Sequence, residues 1–318
     1  MRRPDGPRST RMSQFRAERA TGWASGKVIL LGEHAVVHGS PAIAAGLEQG
    51  VEISLQPARE QARDVPTGAD PRLAEAFRQA ASLTGIPDSI GLSLSIRSEL
   101  PEAVGFGSSA ALAVGLVRAC LAGQEEIWSN AEVAVAANSI EKIFHGRPSG
   151  IDATTAAMGG VLRFQIGPPL AYENVPLGAE LVLLLVETGT RHTTSSTVGA
   201  LGDRARAQPA IYQPVFDAIT ALVGEADQAL RAGNLAFLGD AMTMNHGLLR
   251  ALGVSTSELD DAVEVALEGG ALGAKLTGAG GGGAILALCG ENAAEIQQIL
   301  QQAGYRTSLS RFAASPGA

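Results

Sequence analysis

The sequence has only two cysteines in 318 residues, and aromatic residues make up only 4% of it. Two cysteines are too few for a disulfide framework or a cysteine-ligated zinc site. Cys120 and Cys289 both lie in apolar runs, which indicates small core residues of a protein in a reducing compartment, here expected to be the cytoplasm. No run reaches the roughly 18 apolar residues of a membrane span, because Arg118 interrupts the best candidate. We therefore expect no membrane association.

Positive charge is scarce outside the first 20 residues. The net charge is −8, yet residues 1–20 carry six arginines against Asp5 and Glu18, so the remaining chain is close to −12. Such an acidic body is a poor match for nucleic acid. We predict that residues 1–20 form a disordered basic tail, with an arginine-rich organelle transit sequence as the alternative.

The chain is rich in glycine, with 39 residues, and the most informative glycines lie within Glu99–Gly123. There, Gly105-Phe106-Gly107 leads through Ser108 and Ser109 into a predicted helix that is apolar almost all the way round and therefore buried. A buried helix that begins at a glycine loop presents unpaired N–H groups and positive partial charge, which favours an anion such as phosphate. The alternative is a tight turn before a core helix.

An earlier polar segment, residues 32–39, follows a predicted buried strand at Lys27–Leu31. His34 and His38 are four residues apart, as in some helical metal sites, but the glycines and valines around them do not favour a long helix. A Glu33-His34 pair at the end of a buried strand indicates a functional edge. A hydrogen-bonded structural histidine is the alternative.

Two carboxylates follow the glycine loop in sequence. Glu141 lies beside the apolar stripe of a predicted helix, and a rigid turn in His145–Asp152 delivers Asp152 to the start of the next small-residue segment. Asp152 could act as a helix cap. Alternatively, two carboxylates and two serines near a phosphate cradle are what magnesium and a general base require.

Hydrophobic periodicity predicts a mixed chain of strands and helices. Helices are expected at 72–83, 110–121, 130–146, 213–232, 235–252, 257–267 and 291–303, and strands at 27–31, 42–47, 51–55, 90–96, 161–164, 181–186, 284–288 and 305–312. A Pro/Gly-rich crossing at 167–178 indicates a boundary, so we predict domains at 21–178 and 179–318 after the tail at 1–20.

Three common motifs are excluded, one by its context and two by their absence from the sequence. Residues 278–283 satisfy G-x-G-x-x-G, but a predicted strand follows them, whereas a dinucleotide site needs a helix there. The sequence has no G-x-x-x-x-G-K-[ST] phosphate loop, and neither Ser108 nor Ser109 lies in a G-x-S-x-G hydrolase motif.

Three segments instead resemble the signature motifs of the GHMP kinases: Gly26–Gly39 (GKVILLGEHAVVHG), Pro101–Ala111 (PEAVGFGSSAA) and Lys275–Gly283 (KLTGAGGGG). Together with HGRPSGID at 145–152 and NHGLLRALGVS at 245–255, they are most similar to the mevalonate kinase branch, in family order over residues 22–312. Four positions depart from the family pattern without removing a charge or hydroxyl: Ser25 for Pro, Ala103 for Gly, Phe106 for Leu and Ala284 for Cys. We expect the bulkier Phe106 to reshape the nucleotide side.

The resemblance implies an α+β fold of two domains, the first of the ribosomal protein S5 domain 2 type with a left-handed crossover and the second ferredoxin-like. It also implies ATP and Mg²⁺ as cofactors and mevalonate as the small-molecule substrate. In the implied chemistry, Asp152 is the base, Lys27 stabilises the reacting hydroxyl, and Ser109 (or less favourably Ser108) and Glu141 hold magnesium. The implied nucleotide site is formed by Pro101, Gly105, Phe106, Gly107, Ser108, Ser109, Ala110, Gly278 and Gly280. The implied substrate pocket is lined by Lys27, Glu33, His34, Val37, Ser149, Asp152 and Thr194. The Thr194 assignment rests on a loose T-x-x-x-V match.

Two other functions stay open at this point. One is a kinase of the same family for phosphomevalonate or a sugar, and the other is a non-catalytic ligand sensor with the same fold. Lys27, Glu141 and Asp152 together favour catalysis, because a sensor has no need of a base. The sequence does not determine the oligomeric state, and a homodimer is one alternative.

Overall fold

Two antiparallel-rich sheets organise the chain in the computed structural model, which describes residues 15–58, 63–101, 105–146, 148–167, 170–189 and 194–316, without the side chains of 194–196. The six-stranded first sheet contains β1 (Ala20–Leu31), β2 (Pro41–Pro57), β3 (Arg63–Asp64), β4 (Leu92–Ser98), β5 (Val161–Gln165) and β6 (Ala171–Asn174). Its helices are α1 (Pro71–Leu83), α2 (Ser108–Gln124), α3 (Asn130–His145) and α4 (Ile151–Met158). The order is β3-β4-β2-β5-β6, with β1 paired to β2.

The second sheet contains β7 (Leu181–Glu187), β8 (Gly273–Thr277), β9 (Ala284–Cys289) and β10 (Arg306–Phe312). Its helices are α5 (Thr194–Ala207), α6 (Pro209–Ala232), α7 (Leu235–Ala251), α8 (Ser257–Glu268) and α9 (Ala293–Gln302). The strand order β10-β7-β9-β8 places β7 and β9, the first and third strands of this sheet along the chain, at its centre. This arrangement is the expected ferredoxin-like topology, and the α+β class is confirmed. The first sheet ends at Asn174 and the second begins at Leu181, on either side of residue 178.

Helix α2 is the central helix of the first domain. Twelve of its 17 residues are buried, as expected from its apolar sequence. It packs so closely on β1 that a Cβ at Gly22 would overlap the backbone of Gly115 and Ala119. Its single charge, Arg118, donates to the carbonyls of Trp23 (2.7 Å) and Ala157 (2.6 Å), so the guanidinium joins β1 to α4.

The long hairpin of β1 and β2 carries an irregularity that matters for the site. Its register shifts between Ser25 and Lys27, around Gly26. The Lys27 N–H donates to the carbonyl of Phe106 (2.9 Å), at the glycine loop. A bulge commonly re-aims the side chain that follows it, and here it directs Lys27 toward the start of α2.

Several sequence predictions need correction. The ordered chain starts before Thr21: the Arg16 N–H donates to Gly123 O (2.7 Å), and Phe15 packs against the core. The runs 42–47 and 51–55 belong to one long strand, β2, which pairs with β1 on both sides of an irregularity between Gly46 and Gly50. β3, β6 and β8 were not predicted as strands, since each is short and lacks clean alternation.

Side chains connect the two sheets at several places. On one side, the Glu48 N–H donates to Ser310 Oγ (3.0 Å) and Gln49 Nε2 donates to Leu309 O (2.6 Å), so β2 covers the outer edge of β10. On the other, Thr277 Oγ1 both accepts from the Ile29 N–H and donates to Ile29 O (3.1 Å each), which joins β8 to β1. Both edges of the second sheet therefore contact the first domain.

Cys120 and Cys289 are buried free thiols, as predicted. Burial raises the pKa of Cys120 to about 12 and that of Cys289 to about 11, so both stay protonated and unreactive near neutral pH. Among the described residues, none of the helices combines the length and hydropathy needed to cross a bilayer.

Candidate active site

The first domain brings a buried lysine and a carboxylate together beside the glycine loop. Lys27 Nζ lies 3.1 Å from Asp152 Oδ2, and the lysine side chain is 5% exposed while that of Asp152 is 37% exposed. Asp152 therefore faces the solvent-accessible side of the pair. It lies in the first turn of α4, whereas Gly150 holds the cap position, so Asp152 is not the helix cap of the alternative interpretation.

The glycine loop is shaped around that lysine. Gly105 and Gly107 have φ angles of 89° and 70°, a region that other residues rarely adopt. A Cβ on Gly107 would lie 2.7 Å from Lys27 Cγ, so a larger residue would displace the lysine. Gly107 is also the N-cap of α2 and offers no side-chain cap, which leaves N–H groups of the first helical turn for an external acceptor.

The residues around the loop differ in their access to the cleft. Ser108 and Ser109 are half-buried at the start of α2, and Ala110 is buried directly behind them. Pro101 is half-buried before the loop, while Ala103 lies outside the described residues. The expectation that Phe106 reshapes the nucleotide side is wrong, because its side chain is 2% exposed and packs in the core.

Glu141 is a buried carboxylate with one orphaned oxygen. Ser109 Oγ donates to Glu141 Oε1 (3.3 Å), whereas Glu141 Oε2 is buried and has no hydrogen-bond partner. Burial, reinforced by the negative charge of Asp152, raises the pKa of Glu141 to about 8, although Lys27 opposes the shift. A carboxylate in this position is poorly satisfied without a cation.

His145 completes this cluster and was not among the predicted site residues. Its Nε2 lies 2.8 Å from Ser109 Oγ. Partial desolvation lowers the pKa of His145, although the residue keeps an exposed face, and the charge of Asp152 works in the opposite direction. The sequence carried one signal for it, since Glu141 and His145 are four residues apart and therefore share a helical face.

The glycine run of the second domain meets this loop. Around Gly278, whose φ is 81°, an added Cβ would be 3.8 Å from the Cα of Gly105. Gly280 (φ 71°) approaches the backbone of Val254 so closely that a Cβ there would overlap it, and the Gly281 N–H donates to Val254 O (2.8 Å). The run thus forms one wall beside the predicted phosphate loop.

Glu33, which the resemblance assigns to the substrate pocket, is buried in a polar cluster. Its side chain is 1% exposed and forms an ion pair with Lys275, which is 0% exposed, and Asn245 Nδ2 donates to its second oxygen (3.2 Å). Burial raises the pKa of Glu33 and lowers that of Lys275, while each partner's charge opposes the shift. Both carboxylate oxygens are used, so Glu33 stabilises the contact between the domains.

His34 has an unusual backbone, with φ of 60°, and its ring is buried. Burial lowers its pKa to about 4, so the ring is neutral near pH 7. Because Ala279 O can only accept, His34 Nε2 carries the proton and donates to it (3.0 Å), which leaves Nδ1 as an acceptor. The ring is therefore fixed against the glycine run. His38 stacks on Phe216 of α6 with ring centroids 4.4 Å apart, so the two histidines do not form a metal pair.

The other predicted pocket residues are spread more widely. Val37 is 53% exposed in a short 3-10 turn, Ala35–His38. Ser149 is exposed and its hydroxyl accepts from the Ile151 N–H (3.4 Å), which supports the turn that presents Asp152. The side chain of Thr194 lies outside the described residues.

His246 of the second domain was also not among the predicted site residues, and it connects β8 to α8. Its Nδ1 accepts from the Leu276 N–H (3.3 Å), and its Nε2 donates to Asp260 Oδ1 (3.1 Å). Burial lowers the pKa of His246 to about 4 despite Asp260, so this contact is a hydrogen bond of a neutral ring rather than an ion pair. Within the described residues, no group of three or more His, Cys, Asp or Glu side chains is placed to hold a metal by itself.

Comparison with known proteins agrees with this architecture. The profile for the GHMP kinases N terminal domain matches residues 72–160, and that for GHMP kinases C terminal matches 227–306. The mevalonate kinase of Thermococcus sibiricus is 35% identical over 316 residues, covering 88% of this chain and 92% of that protein. The mevalonate kinase of Pyrococcus horikoshii is 34% identical, with 91% and 94% covered. The crystal structure of L. major mevalonate kinase in complex with R-mevalonate superposes with a TM-score of 0.87 at 29% identity, covering 96% of this chain and 100% of that one.

Proposed function

This chain belongs to the mevalonate kinase branch of the GHMP kinase family, and we propose that Asp152, Lys27, Ser109 and Glu141 carry out its reaction. It transfers the γ-phosphoryl group of ATP to the 5-hydroxyl of mevalonate, a step of isoprenoid biosynthesis. The observation that supports our assignment of roles is the contact of Lys27 Nζ with Asp152 Oδ2 at the glycine loop.

Asp152 is the proposed general base. A carboxylate oxygen of Asp152 accepts the proton of the substrate hydroxyl as that oxygen attacks the phosphoryl group. Its 37% exposed side chain can be reached by a substrate, whereas Glu141 lies deeper. Lys27 holds Asp152 in place, and its ammonium lies where it stabilises the negative charge that develops on the hydroxyl oxygen.

The nucleotide phosphates are proposed to bind at Gly105–Ala110. The positive φ angles of Gly105 and Gly107 allow a close approach, and the uncapped start of α2 supplies N–H donors to phosphate oxygens. The Gly278–Gly283 run forms the opposite wall. Binding at backbone groups positions the phosphoryl group without requiring covalent chemistry from the protein.

The residues present fit a magnesium ion. Glu141 Oε2 is buried without a partner and its pKa is raised, which a cation would reverse, and the Ser109 hydroxyl is an adjacent hard oxygen ligand. Ser109 and Glu141 would hold the ion, with the nucleotide phosphates supplying further oxygens. Bound magnesium would supply charge neutralisation at those phosphates.

The proposed choice of substrate rests on how the two buried lysines near the site are used within the described part of the chain. A phosphorylated alcohol would need additional arginine or lysine contacts for its second phosphate. Among the described residues here, Lys27 is paired with Asp152 and Lys275 is buried against Glu33. Arg147 and Arg191, which the sequence places nearby, lie outside the described residues.

The test is a coupled assay of ADP release with mevalonate, phosphomevalonate and galactose. We expect kcat/KM for mevalonate to exceed that for phosphomevalonate by at least about tenfold, or about 1.4 kcal/mol. Equal or reversed preference would refute the substrate and leave the family intact. ATP and ligand binding without turnover of any alcohol would favour the sensor.

A further inference from the structure

We infer that His145 is a positioning residue that holds the Ser109 hydroxyl so that its oxygen faces the cation site. This inference rests on the proposed magnesium site formed by Ser109 and Glu141. It assigns His145 a role in metal and nucleotide binding, although the side chain would touch neither the ion nor the substrate.

Two helices bring the three side chains together. Glu141 and His145 lie one turn apart on α3 and face the first turn of α2, where Ser109 lies. Ser109 Oγ is 2.8 Å from His145 Nε2 but 3.3 Å from Glu141 Oε1. Since 2.8 Å is close to the optimum for a hydroxyl bond, the contact with His145 is the tighter of the two.

The proton on Ser109 determines what His145 does. A serine hydroxyl has one proton and two lone pairs, and a lone pair must face a cation if the oxygen is to bind it. The single proton cannot be donated fully to Glu141 Oε1 (3.3 Å) and to His145 Nε2 (2.8 Å) at once, and the shorter contact favours His145 as its acceptor. His145 Nε2 can accept it, which requires the tautomer with the proton on Nδ1. The hydroxyl proton then points away from the cation.

A purely structural role makes a different prediction. His145 is the last residue of α3, where a basic side chain stabilises the negative end of the helix dipole. In that case, its loss would lower the thermal stability slightly and leave metal binding unchanged. The two roles therefore differ in the metal dependence of binding.

The experiment measures Mn²⁺ binding by electron paramagnetic resonance, in the presence of a non-hydrolysable ATP analogue, for the full chain. Outer partners of metal ligands contribute about 10- to 100-fold to affinity. We expect His145→Leu to weaken Mn²⁺ binding by about tenfold or more, and His145→Gln, whose amide oxygen can accept the same proton, to stay within about threefold of wild type. The KM for mevalonate should change little in both variants.

The controls separate this inference from the function on which it rests. Lys142→Met alters an exposed neighbour on α3 and should leave Mn²⁺ binding unchanged. If His145→Leu binds Mn²⁺ as wild type does while Ser109→Ala and Glu141→Gln bind it weakly, the inference is overturned and the magnesium site stands. Equal weakening in His145→Leu and His145→Gln also overturns it. If Ser109→Ala and Glu141→Gln bind normally, the magnesium site itself is wrong.

Discussion

Gly107 lies directly under the side chain of Lys27, and the absence of a side chain at that glycine allows the lysine to reach Asp152. A Cβ on Gly107 would be 2.7 Å from Lys27 Cγ and 3.1 Å from Lys27 Cε, both closer than carbon atoms approach without displacement. The same residue has a φ of 70° and starts α2. One glycine thus positions both the helix start and the lysine.

Gly107→Ala should therefore reduce turnover strongly. Displacing Lys27 by about 1 Å is expected to lower kcat by about 10²-fold, and the positive φ adds about 1 kcal/mol of destabilisation. Gly304→Ala is the matched control, because Gly304 has a φ of 94° but its added Cβ would meet nothing within 4 Å. Steady-state kinetics and thermal melts on both variants make the comparison. Equal kinetic effects in the two variants would contradict a specific role for the Gly107–Lys27 contact.

Asp152→Asn should remove the base and leave the fold intact. We expect kcat to fall by roughly two to four orders of magnitude while nucleotide affinity stays within a few-fold. Added magnesium should not restore activity, since the lost group accepts a proton and holds no metal. Asp240→Asn, at an exposed position on α7, is the matched control. A folded Asp152→Asn protein that turns over at nearly the wild-type rate would end the assignment.

The buried pair between Glu33 and Lys275 should be strongly coupled in stability. Lys275→Met leaves the carboxylate of Glu33 buried without its cation, which typically costs about 3–5 kcal/mol of unfolding free energy. The double variant Glu33→Gln with Lys275→Met should cost less than the sum of the single variants. Urea unfolding of the wild type and the three variants measures the coupling. Simple additivity would argue that the pair contributes nothing beyond packing.

Acid should destabilise the protein through His34 and His246. Both have folded-state pKa values of about 4, below the usual 6.5, so the unfolded state binds protons that the folded state does not. The unfolding free energy therefore falls as pH drops from 6.5 toward 4 and is unaffected by these groups above 6.5. For His34, the unfolding free energy at about pH 5 is lower than at neutral pH by about 2 kcal/mol. The difference between wild type and His34→Gln in urea unfolding, followed from pH 7 to about 5, isolates this contribution. A difference that does not change with pH would contradict a buried neutral ring.

Much of the fold follows from local patterns in the sequence. The apolar run of α2 predicted a buried helix, and the apolar stripe beside Glu141 predicted the inner face of α3, where Val133, Ala137 and Ile140 are buried. Strands that are short or lack alternation, such as β6 and β8, were missed because their neighbours in the sheet, rather than their own residues, determine them. The start of the ordered chain was placed too late because Phe15 is one apolar residue in a polar segment, and its contact at Gly123 is over one hundred residues away.

In the candidate site, too, some features follow from local sequence patterns and others depend on tertiary packing. The order of strand, glycine loop and helix could be read locally, so the helix start at Gly107 was predictable, whereas a role for Lys27 beside it came from the family resemblance alone. The roles of Glu33 and Lys275 were not predictable, because burial of an ion pair depends on how the second domain packs on the first. The reshaping expected from Phe106 failed for a similar reason, since a side chain's position in a loop does not say whether it faces the cleft or the core.

The attachment of both edges of the second sheet has a consequence for how ligands come and go. Swinging the second domain away as a rigid body would break the bonds of Gln49 to β10, those of Thr277 to Ile29, and the buried pair of Glu33 and Lys275 at once. Separating that ion pair alone would leave two buried charges without partners, at a cost of several kcal/mol. A hinge between the domains is thus unfavourable. Nucleotide and alcohol exchange must instead use movements of the loops that border the cleft, with the two sheets acting as one fixed frame.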